Sequence, residues 1–466
     1  MTTSNRRKEG KPESKTEEVE ENSTSPLKNA IVAEAGRNKA LLPSDQPLFI
    51  PTIESVVTEW NMRDAMEAVM RNKGAPGIDG ITVEEIEETL DKDWPRIKQE
   101  ILNGKYYPQP VRRVEIPKPD GGARKLGIPT VLDRIIQQAI YQRLVHVFDL
   151  KFSQYSYGFR PRRSTHQAVL QAQKYIQEDG CEWVVDIDLE KFFDKVNHDM
   201  LMARIARHVK DKKILLLIRR FLQAGAMEDG LVKVTGEGTP QGCPLSPLLS
   251  NIMLDDFDKE LEKRGLRFAR YADDCNIYVK SERAGKRVME SVVKYLTEKL
   301  KLKVNTQKSA VDNPWNRKFL GFTFTKDKKR IKVHESRVER FKDKVREVTR
   351  KMRGNKVEMI LKKGLMPIIR GWANYFKLAE EQGIFKSLDG WIRRKIRGYF
   401  WRQWKNPETR IRRLITLGIR EETARLNGWS GKGPWRMARS PSMHRAMSNK
   451  YMEAMGYISM ASIVQS

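Results

Sequence analysis

The sequence predicts an α+β fold, a mixed body of strands and helices reaching to about residue 330, followed by a helical and strongly basic remainder. Three observations carry this. Short β-rich runs such as Trp183-Val184-Val185-Asp186-Ile187-Asp188 and Cys275-Asn276-Ile277-Tyr278-Val279 alternate with stretches of helical periodicity. From Arg337 onward the pattern is mostly helical. Residues 331–466 hold 31 Lys/Arg against 12 Asp/Glu, a net +19 of the whole chain's +28.

The elements follow in order. Residues 1–50 are rich in Glu, Lys, Ser and Asn with almost no aromatics, and read as a disordered extension or tag. Folded chain begins at Pro51: Ile53, Val56, Val57, Trp60, Met62, Ala65, Met66 and Val69 recur at helical spacing, and the helix stops near Asn72-Lys73-Gly74, before the turn Pro76-Gly77-Ile78-Asp79-Gly80. Val114-Glu115-Ile116 reads as a strand, Asp133–Phe148 and Thr165–Glu178 as helices. In the basic remainder, Trp372, Trp391, Trp401, Trp404, Trp429 and Trp435 interleave with cations, as a nucleic-acid surface requires. The plainer alternative makes Trp391, Ile392, Ile396 and Phe400 the apolar stripe of a basic helix.

Composition narrows the function. With 466 residues and 39% hydrophobic content the chain can bury a sizeable core, and 88 Lys/Arg against 60 Asp/Glu suit a polyanionic partner. The three cysteines, Cys181, Cys243 and Cys275, form no CxxC pair, so neither a disulfide framework nor a zinc ribbon is expected. No apolar run is long enough for a membrane span, and Met1–Ser25 is polar. A cytoplasmic, nucleoid-associated protein without membrane contact is the expectation.

The chemistry centres on Arg270-Tyr271-Ala272-Asp273-Asp274-Cys275, flanked on both sides by strand-forming residues. That arrangement puts two carboxylates at a hairpin tip. A second strand ends in Asp188, and neighbouring strands lie about 4.8 Å apart, so Asp188 can face Asp273 or Asp274 across the sheet end. Converging carboxylates repel unless a hard cation lies between them, and Mg²⁺, with oxygen ligands at about 2.1 Å, is the expected occupant. By residue type alone Asp186 competes with Asp188, and Phe192 and Phe193 are plain core.

In this setting the chain, over nearly all of residues 51–466, resembles the reverse transcriptase/maturase proteins encoded by bacterial group II introns. Ala75-Pro76-Gly77-Ile78-Asp79-Gly80 resembles their opening motif, and Ile116-Pro117-Lys118-Pro119-Asp120-Gly121-Gly122-Ala123-Arg124 their fingers hairpin. The resemblance implies that Lys118 and Arg124 grip the triphosphate, with Arg112 bordering that pocket. Asp186-Ile187-Asp188-Leu189-Glu190-Lys191-Phe192-Phe193 matches the first catalytic motif. The family places an aromatic five residues after the metal ligand, which selects Asp188 and puts Phe193 under the sugar, where its ring excludes a ribose 2′-hydroxyl.

The implied metal set is Asp188, the Leu189 backbone carbonyl, Asp273 and Asp274, holding two Mg²⁺ ions or Mn²⁺ in their stead. Gln241, in Thr239-Pro240-Gln241-Gly242-Cys243, is the implied dNTP contact, although Cys243 stands where many relatives carry glycine. Lys308 is a candidate general acid toward pyrophosphate, or else a plain surface lysine. Phe319-Leu320-Gly321-Phe322 resembles the primer-grip hairpin.

The implied architecture is an α+β right-hand polymerase: fingers and palm with an antiparallel palm sheet over 51–330, an α-helical thumb or maturase domain over 331–410, and a small basic DNA-binding domain over 411–466. Arg370, Trp372, Arg393, Arg394 and Lys395 are the implied nucleic-acid contacts. No His-Asn-His or paired-cysteine endonuclease sequence is expected. The implied partners are an RNA template with a DNA or RNA primer, dNTPs, cognate intron RNA for splicing, and target DNA for target-primed synthesis. Two competing readings are a free-standing reverse transcriptase serving repair or defence, and an RNA-binding splicing factor without polymerase activity.

Overall fold

A computed structural model describes residues 50–117, 123–228, 231–233, 237–239, 242–352 and 354–465. Among them, the residues up to Lys151 with Asn197–Leu249 form one compact unit, and Phe152–Val196 with the residues from Ser250 onward form a second. The expected extension, residues 1–50, lies outside the described residues except for Ile50.

In the first unit the helix Glu59–Arg71 buries Met62, Ala65, Met66 and Val69, the i, i+3, i+4, i+7 face visible in the sequence, and ends at Asn72 as expected. The helix Val131–Phe148 starts at Thr130, whose side chain accepts from the Asp133 amide. It is apolar nearly all round, with Ile135, Ile136, Ala139, Ile140 and Leu144 fully buried, as befits a central helix. The strands Val111–Pro117 and Ala123–Ile128 pair antiparallel with Ile116 opposite Arg124, and Ala226–Glu228 and Leu231–Lys233 extend that sheet to four strands.

The second unit holds a four-stranded antiparallel sheet in the order Arg267–Tyr271, Asp274–Val279, Trp183–Ile187, Ala310–Asp312. One face is covered by the helix Glu282–Glu298. A Cβ at Gly285 would lie 2.5 Å from Val311 Cγ1, so the glycine sets how closely that helix approaches. The other face carries Val184 and Tyr278 and is covered at one end by the helix Thr165–Gln177, whose Tyr175 ring lies 5.6 Å from that of Tyr278. A capping box between Ser164 and Gln167 starts that helix.

Helices dominate after residue 334. Glu335–Lys351 is followed by a π-helical turn, Ile360–Leu365, which feeds into Met366–Phe376. The long helix Gly383–Gln403 buries Phe385, Leu388, Ile392, Ile396 and Tyr399 at spacings of three and four. One hydrophobic core runs without interruption from Val184, Ala269 and Tyr278 of the sheet through Phe319 and Phe322 to Met460. It crosses the expected boundaries near 330 and 410, because each amphipathic helix buries its apolar face against the preceding element. Among the described residues no helix is long and apolar enough to cross a membrane.

Candidate active site

The Tyr271-Ala272-Asp273-Asp274 turn is a two-residue hairpin. Tyr271 pairs with Asp274, leaving Ala272 and Asp273 as the loop, with Ala272 at φ +58°. A positive φ at the first loop residue alone is the signature of a II′-type turn, normally given to glycine; for alanine the left-handed region costs roughly 1–2 kcal/mol. The surroundings over-determine it. Arg270, 1% exposed, donates from Nη1 to the Ala272 carbonyl at 2.8 Å and to Asn251 Oδ1 at 3.0 Å. Its Nε and Nη2 donate to Asp258 Oδ1 at 2.6 Å and Oδ2 at 2.5 Å, and Nη2 also to Ser156 Oγ at 2.8 Å. All five guanidinium protons are used.

Behind the turn, Tyr157 N donates to Arg270 O at 2.8 Å and Arg270 N to Tyr155 O at 2.9 Å. This lays residues 155–158 along the strand, and Asn251 Nδ2 fastens the Gly158 carbonyl at 2.8 Å. A Cβ at Gly158 would stand 2.3 Å from the Ala272 amide nitrogen, so only glycine fits.

Asp188 stands across from this turn. The register pairs Asp186 with Asn276 and Ile187 with Cys275, and one further step sets Asp188 opposite Asp274. Paired residues of antiparallel strands share a face, so Asp186, Asp188 and Asp274 all project from the face that bears Val184 and Tyr278. The segment after Leu302 holds Asp188 in place. Asn305 N donates to its carbonyl at 2.8 Å, Asn305 Nδ2 to its Oδ2 at 3.3 Å, and its own amide donates to Ser309 Oγ at 2.9 Å. Leu189 forms a β-bridge with Val304, which brings Lys308 into electrostatic range of Asp188.

The electrostatics are those of crowded carboxylates. Asp274 has an exposed side chain, yet dense protein around the strand end desolvates its carboxylate. This desolvation, then the charges of Asp273, Asp186 and Asp188, push it up to about 7 against the pull of Lys318. Desolvation, then Asp273 and Asp186, also raise Asp188, opposed by Lys308 and Asn305. Asp186 is raised by burial as well, but Arg317 engages it, with Nε 3.0 Å and Nη2 2.6 Å from Oδ2. Among the described residues no three His, Cys, Asp or Glu side chains converge closely enough to cage an ion. The donor set, hard oxygens whose mutual repulsion raises two of their own pKa values, is nonetheless the kind a divalent cation relieves.

The other expected residues fall as follows. Phe193 is half-buried and packs edge-to-face on Phe192, 5.3 Å between centroids, while Phe192 is the core ring at 2% exposure. Arg112 donates twice to the Pro76 carbonyl, at 3.1 and 2.8 Å, and so braces the loop that opens the fold. The backbone of Arg124 lies in the hairpin strand; its side chain, Lys118 and Gln241 lie outside the described residues. Gly242, at φ +109°, supplies a close approach beside the buried Cys243: a Cβ there would meet the Gly127 carbonyl at 3.0 Å.

The Leu320-Gly321 hairpin has positive φ at both central residues, as a I′-type turn requires, and the Tyr375 hydroxyl donates to the Leu320 carbonyl at 2.8 Å. Between the helices Glu335–Lys351 and Met366–Phe376 runs a groove of about 810 Å³ with Trp372, Phe341 and Ile368 inside it and Arg337, Arg340 and Lys344 along it. Trp372 packs 4.9 Å from Phe341 and 4.7 Å from Phe376, ring to ring. Arg370 is exposed. Arg393, Arg394 and Lys395 are half-buried, with the Arg394 guanidinium 3.8 Å and the Lys395 ammonium 5.1 Å from the Trp435 ring centroid. Trp401 and Trp404 are core, whereas Trp429 and Trp435 face solvent.

A family profile described as reverse transcriptase (RNA-dependent DNA polymerase) matches residues 116–324, and one described as the group II intron maturase-specific domain matches 338–416. Protein YkfC of Escherichia coli K12 is 32% identical over 323 residues, spanning 60% of this chain and 84% of its own length. The chain belongs to the group II intron-encoded reverse transcriptase/maturase family. Its enzymatic class is therefore RNA-directed DNA polymerase, on an α+β body, with RNA as the polymer it engages. The group II intron-encoded protein LtrA of Lactococcus lactis subsp. cremoris is 38% identical over 207 residues, and the match spans 44% of this chain but only 34% of LtrA. A solved partial Cas6-RT-Cas1--Cas2 complex aligns over 56% of this chain and 45% of its own at 22% identity and a TM-score of 0.34, too slight a likeness to build on.

Residue patterns had not revealed the supports of this site: Arg270, Asp258, Asn251, Gly158 and Arg317. One signal was available for Arg270, a charge inside the otherwise buried strand Phe268-Ala269-Arg270. Arg317 sits in a polar loop and carries no such mark.

Proposed function

We propose that this member of the family extends a primer 3′-hydroxyl with dNTPs on an RNA template, and that Asp188, Asp273, Asp274 and the Leu189 carbonyl hold the divalent cations, Mg²⁺ or Mn²⁺, that the reaction needs. The observation that carries this is the register: Asp188 is set opposite Asp274 at the end of the sheet, beside a turn too tightly held to carry its carboxylates elsewhere. Two ions held by these oxygens would supply activation of the primer hydroxyl and charge stabilisation of the departing pyrophosphate.

The protein's own residues do the rest. Phe193 narrows the space beneath the sugar and favours dNTPs over rNTPs. Arg112, Lys118 and Arg124 bind the triphosphate, and Gln241 contacts the nucleotide. Lys308, within electrostatic range of Asp188, protonates the leaving pyrophosphate. Arg370, Trp372 and the Arg393-Arg394-Lys395 run hold the template–primer duplex and cognate intron RNA, and the basic C-terminal helices engage target DNA, with steep salt dependence.

Primer extension on an RNA template with Mg²⁺ and dNTPs tests the reading, with Asp273→Ala as the control. Extension should occur with the parent and vanish in the variant. Absence of extension, or extension indifferent to the substitution, overturns it. For the maturase role, affinity for cognate intron RNA should exceed that for an unrelated structured RNA at physiological salt, and equal binding would count against it.

A further inference from the structure

Four carboxylates crowd the end of this sheet, and the proposed cation set uses three. Asp186 is the fourth. It lies on the same face as Asp188, two residues up the strand and so about 6.6 Å away along it, near enough to share an ion. Its charge already acts on Asp188 and Asp274. A fourth free carboxylate would offer incoming cations a competing position displaced from the turn.

Arg317 occupies it. Nε and Nη2 both reach Asp186 Oδ2, at 3.0 and 2.6 Å, and Nη2 also donates to the Lys308 carbonyl at 2.6 Å. The loop that delivers Arg317 is itself fixed. Asp312, opposite Val184 on the edge strand whose Ala310 faces Asp186, accepts from the Asn313 amide at 2.7 Å and from Asn316 Nδ2 at 2.9 Å, which folds residues 313–317 back along the strand. The guanidinium thus has a fixed origin, a fixed carboxylate and a fixed carbonyl. Lysine, a point charge on a flexible stem, has no such planar fork with which to span Asp186 and the carbonyl together.

We infer that Arg317 is a positioning residue for the polymerase site: by holding Asp186 in an ion pair it keeps this carboxylate out of the cation set, so that divalent ions are confined to Asp188, Asp273 and Asp274. The inference rests on the metal reading proposed above. Without Arg317, Asp186 loses the guanidinium paired with it and keeps only the more distant Lys318 against its charge, so most of that negative charge faces the ions. A unit charge about 7 Å from a divalent ion in high-dielectric surroundings changes its affinity by roughly fivefold or more.

The test is Mn²⁺ binding followed by electron paramagnetic resonance in the complex of full-length protein, template, dideoxy-terminated primer and matched dNTP. Arg317→Gln should bind Mn²⁺ roughly fivefold more tightly or with an added ion, and should extend unblocked primers more slowly. The double variant Asp186→Asn/Arg317→Gln should return Mn²⁺ binding to within about twofold of the parent, since the charge at that point is again balanced. Asp274→Asn tests the underlying metal reading separately. If it binds Mn²⁺ like the parent, that reading fails and this inference with it. If Asp274→Asn loses binding while Arg317→Gln binds as the parent does, only the role of Arg317 is overturned. Tighter binding that the double variant leaves uncorrected also overturns it, because the effect would then not pass through Asp186.

Discussion

Arg270→Met is the most informative single perturbation of the Tyr271–Asp274 turn proposed to carry two of the cation ligands. The substitution leaves Asp258, fully buried, without the cation that both its oxygens face, and removes the donors that satisfy the Ala272 carbonyl, Asn251 and Ser156. Breaking a buried ion pair by deleting one partner typically costs about 3–5 kcal/mol, part of which Asp258 recovers by taking up a proton. Every tryptophan except Trp60 and Trp94 lies in the second unit, so fluorescence-monitored urea unfolding reports on the unit that contains the pair. The double variant Arg270→Met/Asp258→Leu removes the stranded charge and should regain at least about 2 kcal/mol of the loss. It leaves the Ala272 carbonyl without its donor, however, so the turn is still loose. Primer extension should remain depressed by about tenfold or more, equivalent to roughly 1.4 kcal/mol of barrier. Two results would refute the reasoning: a single variant within about 1 kcal/mol of the parent, or a double variant that extends primers at the parental rate.

Three further outcomes follow from the geometry. Gly158→Ala drives a Cβ to 2.3 Å from the Ala272 amide, a backbone atom that cannot step aside, so a loss of about 1–3 kcal/mol and of most primer extension is expected; parental extension would show that the turn yields. Phe193→Ala should raise ribonucleotide incorporation relative to dNTPs by about ten- to a hundredfold in single-nucleotide extension, and an unchanged ratio removes the ring from beneath the sugar. In the first unit, burial raises Asp133 from 3.8 to about 6, even though Tyr106, Thr130 and the Gln109 amide donate to it. Because the folded pKa exceeds the unfolded one, the stabilisation is complete below pH 3.8 and is lost as pH rises to about 6, a difference of about 3 kcal/mol. The unfolding free energy of the parent minus that of Asp133→Asn should fall by about that amount between pH 4 and 7; a flat difference would mean that Asp133 titrates as an ordinary carboxylate.

Much of this protein is legible in its sequence. The helix Glu59–Arg71, the helix Thr165–Gln177 and the strands Trp183–Ile187 and Asp274–Val279 all follow, within a residue or so at their ends, from local periodicity and β-branched runs, because side-chain repeats of 3.6 and 2 are properties of the chain itself. Residue type alone left Asp186 and Asp188 as rivals for the strand end facing the Tyr271–Asp274 run, and only the family resemblance favoured Asp188. Whether Phe192 or Phe193 is core was not decidable there; packing chose Phe192.

What only the tertiary structure decided is which residues brace the turn and the strand end beside it. Arg270 meets Asp258 twelve residues away and Ser156 across more than a hundred, and Arg317 meets Asp186 from 131 residues on. Such partners leave no periodic trace, because a buried charge is stabilised by whatever the fold brings beside it rather than by its neighbours in sequence. The same holds for the single core that joins the sheet to the helices near Met460, which no boundary read along the chain could anticipate. Sequence thus determined the elements and the chemical identity of the carboxylates. Tertiary contact determined their supports and, through the Arg317 ion pair, which one of the four carboxylates is held by a guanidinium.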